Sequence, residues 1–127
     1  MVARNPDAEI IFDVKCTRRL TPLIEQHGGR ALMWKTGHSL IKKKMKQTGA
    51  LLAGEMSGHI FIKERWYGFD DGLYSGARLL EILTREADPS ALLNSLPQSD
   101  STPELHLHLS EGENVIVMDK LLSLIHI

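Results

Sequence analysis

Three short stretches of this sequence concentrate side chains capable of chemistry. Gly54-Glu55-Met56-Ser57-Gly58-His59 sets a carboxylate, a hydroxyl and an imidazole around two glycines. Glycine at both ends permits a sharp turn and a close approach of backbone to ligand. A carboxylate accepts two hydrogen bonds in a fork, which suits two vicinal hydroxyls of a sugar ring, and a serine hydroxyl donates and accepts beside it. The same composition also suits an ordinary tight turn, and spacing alone does not separate the readings. Trp34-Lys35-Thr36-Gly37-His38 leaves a strand and enters a helix. Ligands of open α/β sheets collect at the carboxyl ends of strands, and a helix N-terminus there favours an anion. His38 is placed to move a proton or touch a phosphate; a surface histidine at a helix start is the plainer account. Lys15, at the end of the first strand, projects from the same edge and suits a phosphoryl oxygen, or is an ordinary strand-end lysine.

Other polar groups read more simply. Lys42-Lys43-Lys44 and Lys46 lie on the polar side of one amphipathic helix with no aromatic residue between them, so a solvated face is expected rather than a nucleic-acid site. Asp70-Asp71 precedes a helix and lacks further ligands at fixed spacing, so capping by either outweighs metal binding. His106 and His108 supply two imidazoles where a zinc site wants three or four. Cys16 has no histidine nearby in sequence to activate it.

The elements that must hold these groups follow from periodicity. The apolar run 9–14 reads as a buried strand of a parallel sheet. A helix follows, with Thr17 as its cap and Leu20, Leu23 and Ile24 facing inward, ending at Gly28-Gly29. A strand over 30–34 and a helix over 38–47, with Leu40, Ile41 and Met45 on its apolar face, complete two strand–helix units. Strands over 50–53 and 59–63 are too closely linked to be parallel, so the sheet is mixed. A helix then runs through Leu73, Ala77, Leu80 and Leu83, its apolar stripe widened by Leu79 and Ile82. A short helix restarts at Asp88-Pro89-Ser90. Residues 97–103 read as a linker. Beyond them, Leu105, Leu107 and Leu109 alternate with polar residues as a half-exposed strand.

The predicted fold class is therefore α/β: a mixed, mostly parallel four-stranded sheet flanked by helices, followed by a truncated strand of a second domain. Residues 1–98 form the α/β domain and residues 99–127 a linker and an incomplete start of another. The 127 residues are 43% hydrophobic and 24% charged, which excludes disorder; a net charge of −1 argues against a dedicated nucleic-acid binder. The single cysteine makes a reducing cytoplasm the default, and no apolar run suggests a membrane span.

Taken together, Asp13-Val14-Lys15-Cys16-Thr17-Arg18-Arg19, Trp34-Lys35-Thr36-Gly37-His38-Ser39, the 54–59 loop and the Phe69-Asp70-Asp71-Gly72 helix start resemble the third domain of the α-D-phosphohexomutases. The likeness covers about Asp7 to Lys120 and is strongest to the phosphomannomutase/phosphoglucomutase branch. It implies a four-domain enzyme that interconverts hexose 1-phosphate and hexose 6-phosphate through a bisphosphosugar. A phosphoserine in one domain and Mg2+ bound in another serve the transfer. It implies that Lys15 and His38 face the reacting end in supporting catalytic roles, that Glu55 and Ser57 hold ring hydroxyls, and that Met56, Gly58 and His59 line the same loop. Hydroxyls common to glucose and mannose would then account for tolerance of both sugars.

The family's phosphoserine loop, metal loop and arginine-rich phosphate loop have no counterparts here. The expectation is therefore a fragment of the enzyme, inactive alone, that works with the missing domains. Residues 122–127 depart from the family pattern and read as non-native. The alternatives are a standalone hexose-phosphate-binding or regulatory module, and a fragment of a related phosphoglucosamine mutase.

Overall fold

The computed structural model describes residues 1–98, 100–103 and 105–124. A single 3-10 turn, Val2–Arg4, precedes the first strand. The strands are β1 (Glu9–Asp13), β2 (Arg30–Trp34), β3 (Leu52–Gly54) and β4 (Ile60–Ile62); the helices are α1 (Leu20–Gln26), α2 (His38–Thr48), α3 (Gly72–Leu83), α4 (Pro89–Asn94) and α5 (Glu113–Leu124). One sheet has the order β2-β1-β3-β4, with β1 parallel to both neighbours and β3 antiparallel to β4. The mixed, mostly parallel sheet expected from the sequence is thus present.

Period-two alternation along β1 sends its side chains to two cores. Ile11 meets Ile41 and Met45 of α2, with Ala50, Ala53 and Phe61, on one face. Ile10 and Phe12 meet Ile24 of α1 on the other. A strand covered on both faces must be apolar throughout its middle, which is why Ile10-Ile11-Phe12 is a continuous run. Asp13 then breaks it and is fully buried.

Several local expectations shift. Thr17 does not cap α1: the cap position falls to Arg19 and carries no side-chain cap bond, while Thr17 Oγ1 accepts from the Arg19 N–H at 3.4 Å. Leu23 and Leu40 are half-exposed, so the inner faces of α1 and α2 are narrower than the apolar count suggests. Asp71 does cap α3, accepting from the Tyr74 N–H at 2.9 Å. None of the residues of α3 is buried, however, and Leu79, Leu80 and Ile82 are all about half-exposed or more. β4 is only three residues long and cannot cover that stripe.

The contacts divide the chain into two units, Met1–Leu93 and Asn94–Ile127. In the second, the strand expected over Leu105 to Leu109 is not formed among the described residues, and those three leucines are exposed. A half-exposed strand needs a neighbour to pair with, and the described residues of this unit offer none. Instead it carries α5, which the sequence reading missed. The signal was Ser110-x-x-Glu113: the Glu113 carboxylate accepts from the Ser110 N–H at 2.8 Å, half of a capping box. The reading of residues 122–127 falls partly on 125–127, which lie outside the described residues.

Candidate functional site

β1, β2 and β3 are parallel, so Asp13, Trp34 and Gly54 end on one edge of the sheet, Asp13 opposite Trp34 and Gly54 opposite Phe12. The connection from β1 leads to β2 on one side, and the turn from β3 leads to β4 on the other. Loops leaving neighbouring strands in opposite directions open a crevice where α/β sheets bind ligands. The loops 14–19, 35–37 and 55–59 surround it.

Asp13 joins all three loops. Its Oδ1 accepts from the Cys16 thiol at 3.0 Å and from the Met56 N–H at 3.2 Å, and its Oδ2 accepts from the Thr36 hydroxyl at 2.9 Å. Burial by itself raises the carboxyl pKa, but these bonds, with the nearby Lys15 charge, outweigh it and hold Asp13 below the usual carboxylate range. The opposite happens to Cys16: burial and its bond to Asp13 push the thiol up to about 11. Cys16 thus acts as a hydrogen-bond donor to Asp13.

The 55–59 loop is a closed turn. The Glu55 N–H donates to the His59 carbonyl at 2.9 Å, and the Gly58 N–H donates to the Glu55 carbonyl at 3.0 Å. Gly58 requires its lack of side chain, with φ +97. Gly54 does not: a Cβ there would meet only the His59 carbonyl, at an ordinary 3.8 Å. Glu55 is turned inward and buried. Its Oε2 accepts from the Gly37 N–H, at the mouth of α2, at 3.3 Å and from the Ser57 hydroxyl at 3.5 Å. Its Oε1 is buried and meets no donor of the described residues. Leaving such an oxygen unpaired costs about 1–3 kcal/mol or more for a charged group. Met56 and Ser57 stand exposed around it.

His38 and His59 come together from the first residue of α2 and the start of β4, their rings 5.3 Å apart and tilted by 37°. His59 Nδ1 lies 2.6 Å from Asp70 Oδ2. A carboxylate oxygen accepts, so in this pair Nδ1–H is the donor to Asp70. Asp70 therefore orients an imidazole while its neighbour Asp71 caps α3. Lys15 is exposed beyond the end of β1, and its link to the cluster runs through Asp13, whose pKa its charge helps lower.

The structure thus gathers Glu55, Met56, Ser57, Gly58, His59 and His38 at one crevice, with Lys15 at its β1 side. Two residues that organise this crevice, Asp13 and Asp70, were not singled out as site residues. Asp13 meets Cys16 three residues on, but its other partners, Thr36 and Met56, lie 23 and 43 residues away, and the partner of Asp70 lies 11 away. The buried acid at the end of an apolar strand was the one available signal. Among the described residues no group of three or more His, Cys, Asp or Glu could hold a metal ion. No helix among them is long and apolar enough to cross a membrane.

Residues 1–99 match the family model described as phosphoglucomutase/phosphomannomutase, alpha/beta/alpha domain III. The chain is 70% identical over 122 residues to a phosphomannomutase/phosphoglucomutase of Pseudomonas putida, covering 95% of this chain and 26% of that protein. It is 69% identical over 111 residues to a phosphoglucomutase of Neisseria meningitidis, covering 87% and 24%. A crystal structure of a phosphoglucomutase/phosphomannomutase family protein from Burkholderia thailandensis overlays with a TM-score of 0.87 at 65% identity, covering 96% of this chain and 25% of that one. The chain spans about a quarter of the length of these relatives.

Proposed function

The chain belongs to the phosphoglucomutase/phosphomannomutase family, whose third domain it carries, and from that premise we propose that it forms the sugar-recognising wall of an enzyme that interconverts hexose 1-phosphates and hexose 6-phosphates through a bisphosphosugar. The observation that carries this reading is the Glu55 carboxylate: one oxygen is fixed by the mouth of α2 and the other meets no donor among the described residues. A small opening of the 55–58 turn lets two sugar hydroxyls donate to Glu55, with the Ser57 hydroxyl as a third contact. Contact through hydroxyls that glucose and mannose share accommodates both.

The remaining residues divide by chemistry. The Lys15 ammonium is the group placed to stabilise negative charge on a transferring phosphoryl group. His38 and His59 sit where a hydroxyl proton must leave or arrive, and Asp70 holds the His59 ring for that task. The phosphoserine and the bisphosphosugar activator belong to the full-length enzyme. Mg2+ supplies charge neutralisation at the phosphates in such chemistry, but the donor set here does not fit it, so its ligands are assigned to the missing domains and no step is routed through it. The setting we propose is cytoplasmic, and the enzyme's partners are its hexose phosphates and its own other domains.

The test uses a full-length phosphomannomutase/phosphoglucomutase with its third domain replaced by residues 1–98 of this chain. Glu55→Ala should lower kcat/KM for glucose 1-phosphate by about 10- to 100-fold, equivalent to about 1–3 kcal/mol of lost positioning. An unchanged kcat/KM refutes the role. The 127-residue chain alone should show no turnover in a coupled assay with added bisphosphate activator.

A further inference from the structure

A second concave surface, lined by other residues, begins beside this crevice at Ser39, whose hydroxyl lies 3.5 Å from His38 Nδ1. Ser39, Lys42, Lys43 and Lys46 recur along α2 at i, i+3, i+4 and i+7, and so share one stripe. That stripe is one wall of a groove of about 590 Å3. The other wall is the segment after β4, with Lys63, Tyr67 and Phe69. The Tyr67 and Phe69 rings stack 5.5 Å apart at 19° and are largely exposed, at 71% and 54%. Between the walls, Gly68 holds φ +76, which favours glycine, and a Cβ there would be in ordinary contact with Lys63 Cβ at 3.4 Å and with Met45 Cε of α2 at 3.6 Å. The aromatic residues absent from the lysine run in sequence are therefore supplied by a distant loop.

The groove's chemistry is one-sided. Four ammonium groups and no carboxylate are found among its lining residues, on a chain whose net charge is −1. Lys44, in the middle of the run, is directed elsewhere, 4.3 Å from the centre of the Trp34 ring. None of Lys15, His38, Glu55, Ser57 or His59 lines the groove. Its volume lies in the range of small-molecule sites, roughly 300–1,000 Å3. We infer that the groove is a second binding site, for a small aromatic polyanion: a flat ring bearing two or more phosphates, as in a nucleoside polyphosphate. Inorganic phosphate would satisfy the lysines and leave the stacked rings bare. A neutral ring would do the reverse. A ligand with both parts uses stacking and charge together.

The test is a titration of the whole chain at low salt with ATP, adenosine and tripolyphosphate, followed by amide NMR shifts. ATP should bind saturably, with Kd of about 1 mM or tighter, shifting Ser39, Lys42, Lys43, Lys46, Lys63, Tyr67 and Phe69. Adenosine and tripolyphosphate should each bind at least about tenfold more weakly. Lys46→Gln and Tyr67→Ala are surface changes expected to fold normally, and each should weaken ATP binding about fivefold or more. Lys44→Gln removes the same charge from the same helix and should leave binding unaltered. Absence of saturable ATP binding overturns the site. So does tripolyphosphate or adenosine matching ATP, Lys44→Gln matching Lys46→Gln, shifts confined to residues 55–59, or an acidic peptide binding where ATP does not.

Discussion

Asp13 organises the crevice by accepting hydrogen bonds from the three loops that form it. Because its folded pKa lies below the ordinary 3.8, the unfolded chain binds its proton first as pH falls. Its stabilising contribution is thus complete above about pH 5 and is lost below 3.8, toward the folded pKa. Asp13→Asn should lower stability at pH 7 by about 1–3 kcal/mol and flatten the acid loss below pH 4. Urea unfolding from pH 7 to pH 3 measures both, and an unaltered acid slope would contradict the assignment. Cys16 gives a second check. With its thiol pushed up to about 11, alkylation at pH 8 should run about 100-fold slower in the folded chain than in urea, and similar rates would show that the thiol is not held by Asp13. At this scale the sequence was legible where chemistry is local. Glu55, Ser57, Gly58 and His59 lie within one turn, and His38 starts a helix that the glycine before it announces. Asp13 and Asp70 escaped because each acts through a residue brought to it by the sheet.

At the scale of elements, alternation and loop length determined most of the architecture. The apolar run 9–14, of which only Ile10 to Asp13 is buried and Val14 is exposed, the repeated strand–helix pattern and the five-residue gap before β4 were enough to predict a mixed sheet. What failed were the inferences that depend on a neighbour. Leu79, Leu80 and Ile82 keep helical spacing on α3 and yet stay exposed, because periodicity records that a face is apolar and not whether the chain supplies a cover. Leu105, Leu107 and Leu109 alternate as a strand would, but no strand to pair with them is found among the described residues. Helix α3 offers a clean test of the local rules that did hold. Asp71 accepts from the Tyr74 N–H and from the Trp66 indole N–H. Asp71→Ala should therefore destabilise the domain by about 1 kcal/mol, read as a shift of the urea midpoint at unchanged slope. Asp71→Asn should recover most of it, and no shift in either variant would mean that α3 is not anchored at this end.

The whole molecule is best understood as a surface. Its charges nearly cancel, and its basic residues are sorted into places: Lys15 near the crevice, and Lys42, Lys43, Lys46 and Lys63 around a second groove. The exposed apolar stripe of α3 fits a domain that works among others, as does a span of about a quarter of its relatives' length. If the 55–59 turn receives the sugar, the contact is visible in a structure with substrate bound. The measurement is a crystal structure of the full-length enzyme carrying residues 1–98 of this chain, with glucose 1-phosphate bound. The account predicts two ring hydroxyls within about 3 Å of the Glu55 carboxylate and Ser57 Oγ. A bound sugar that leaves Glu55 closed on Gly37, with no hydroxyl in reach, would contradict it.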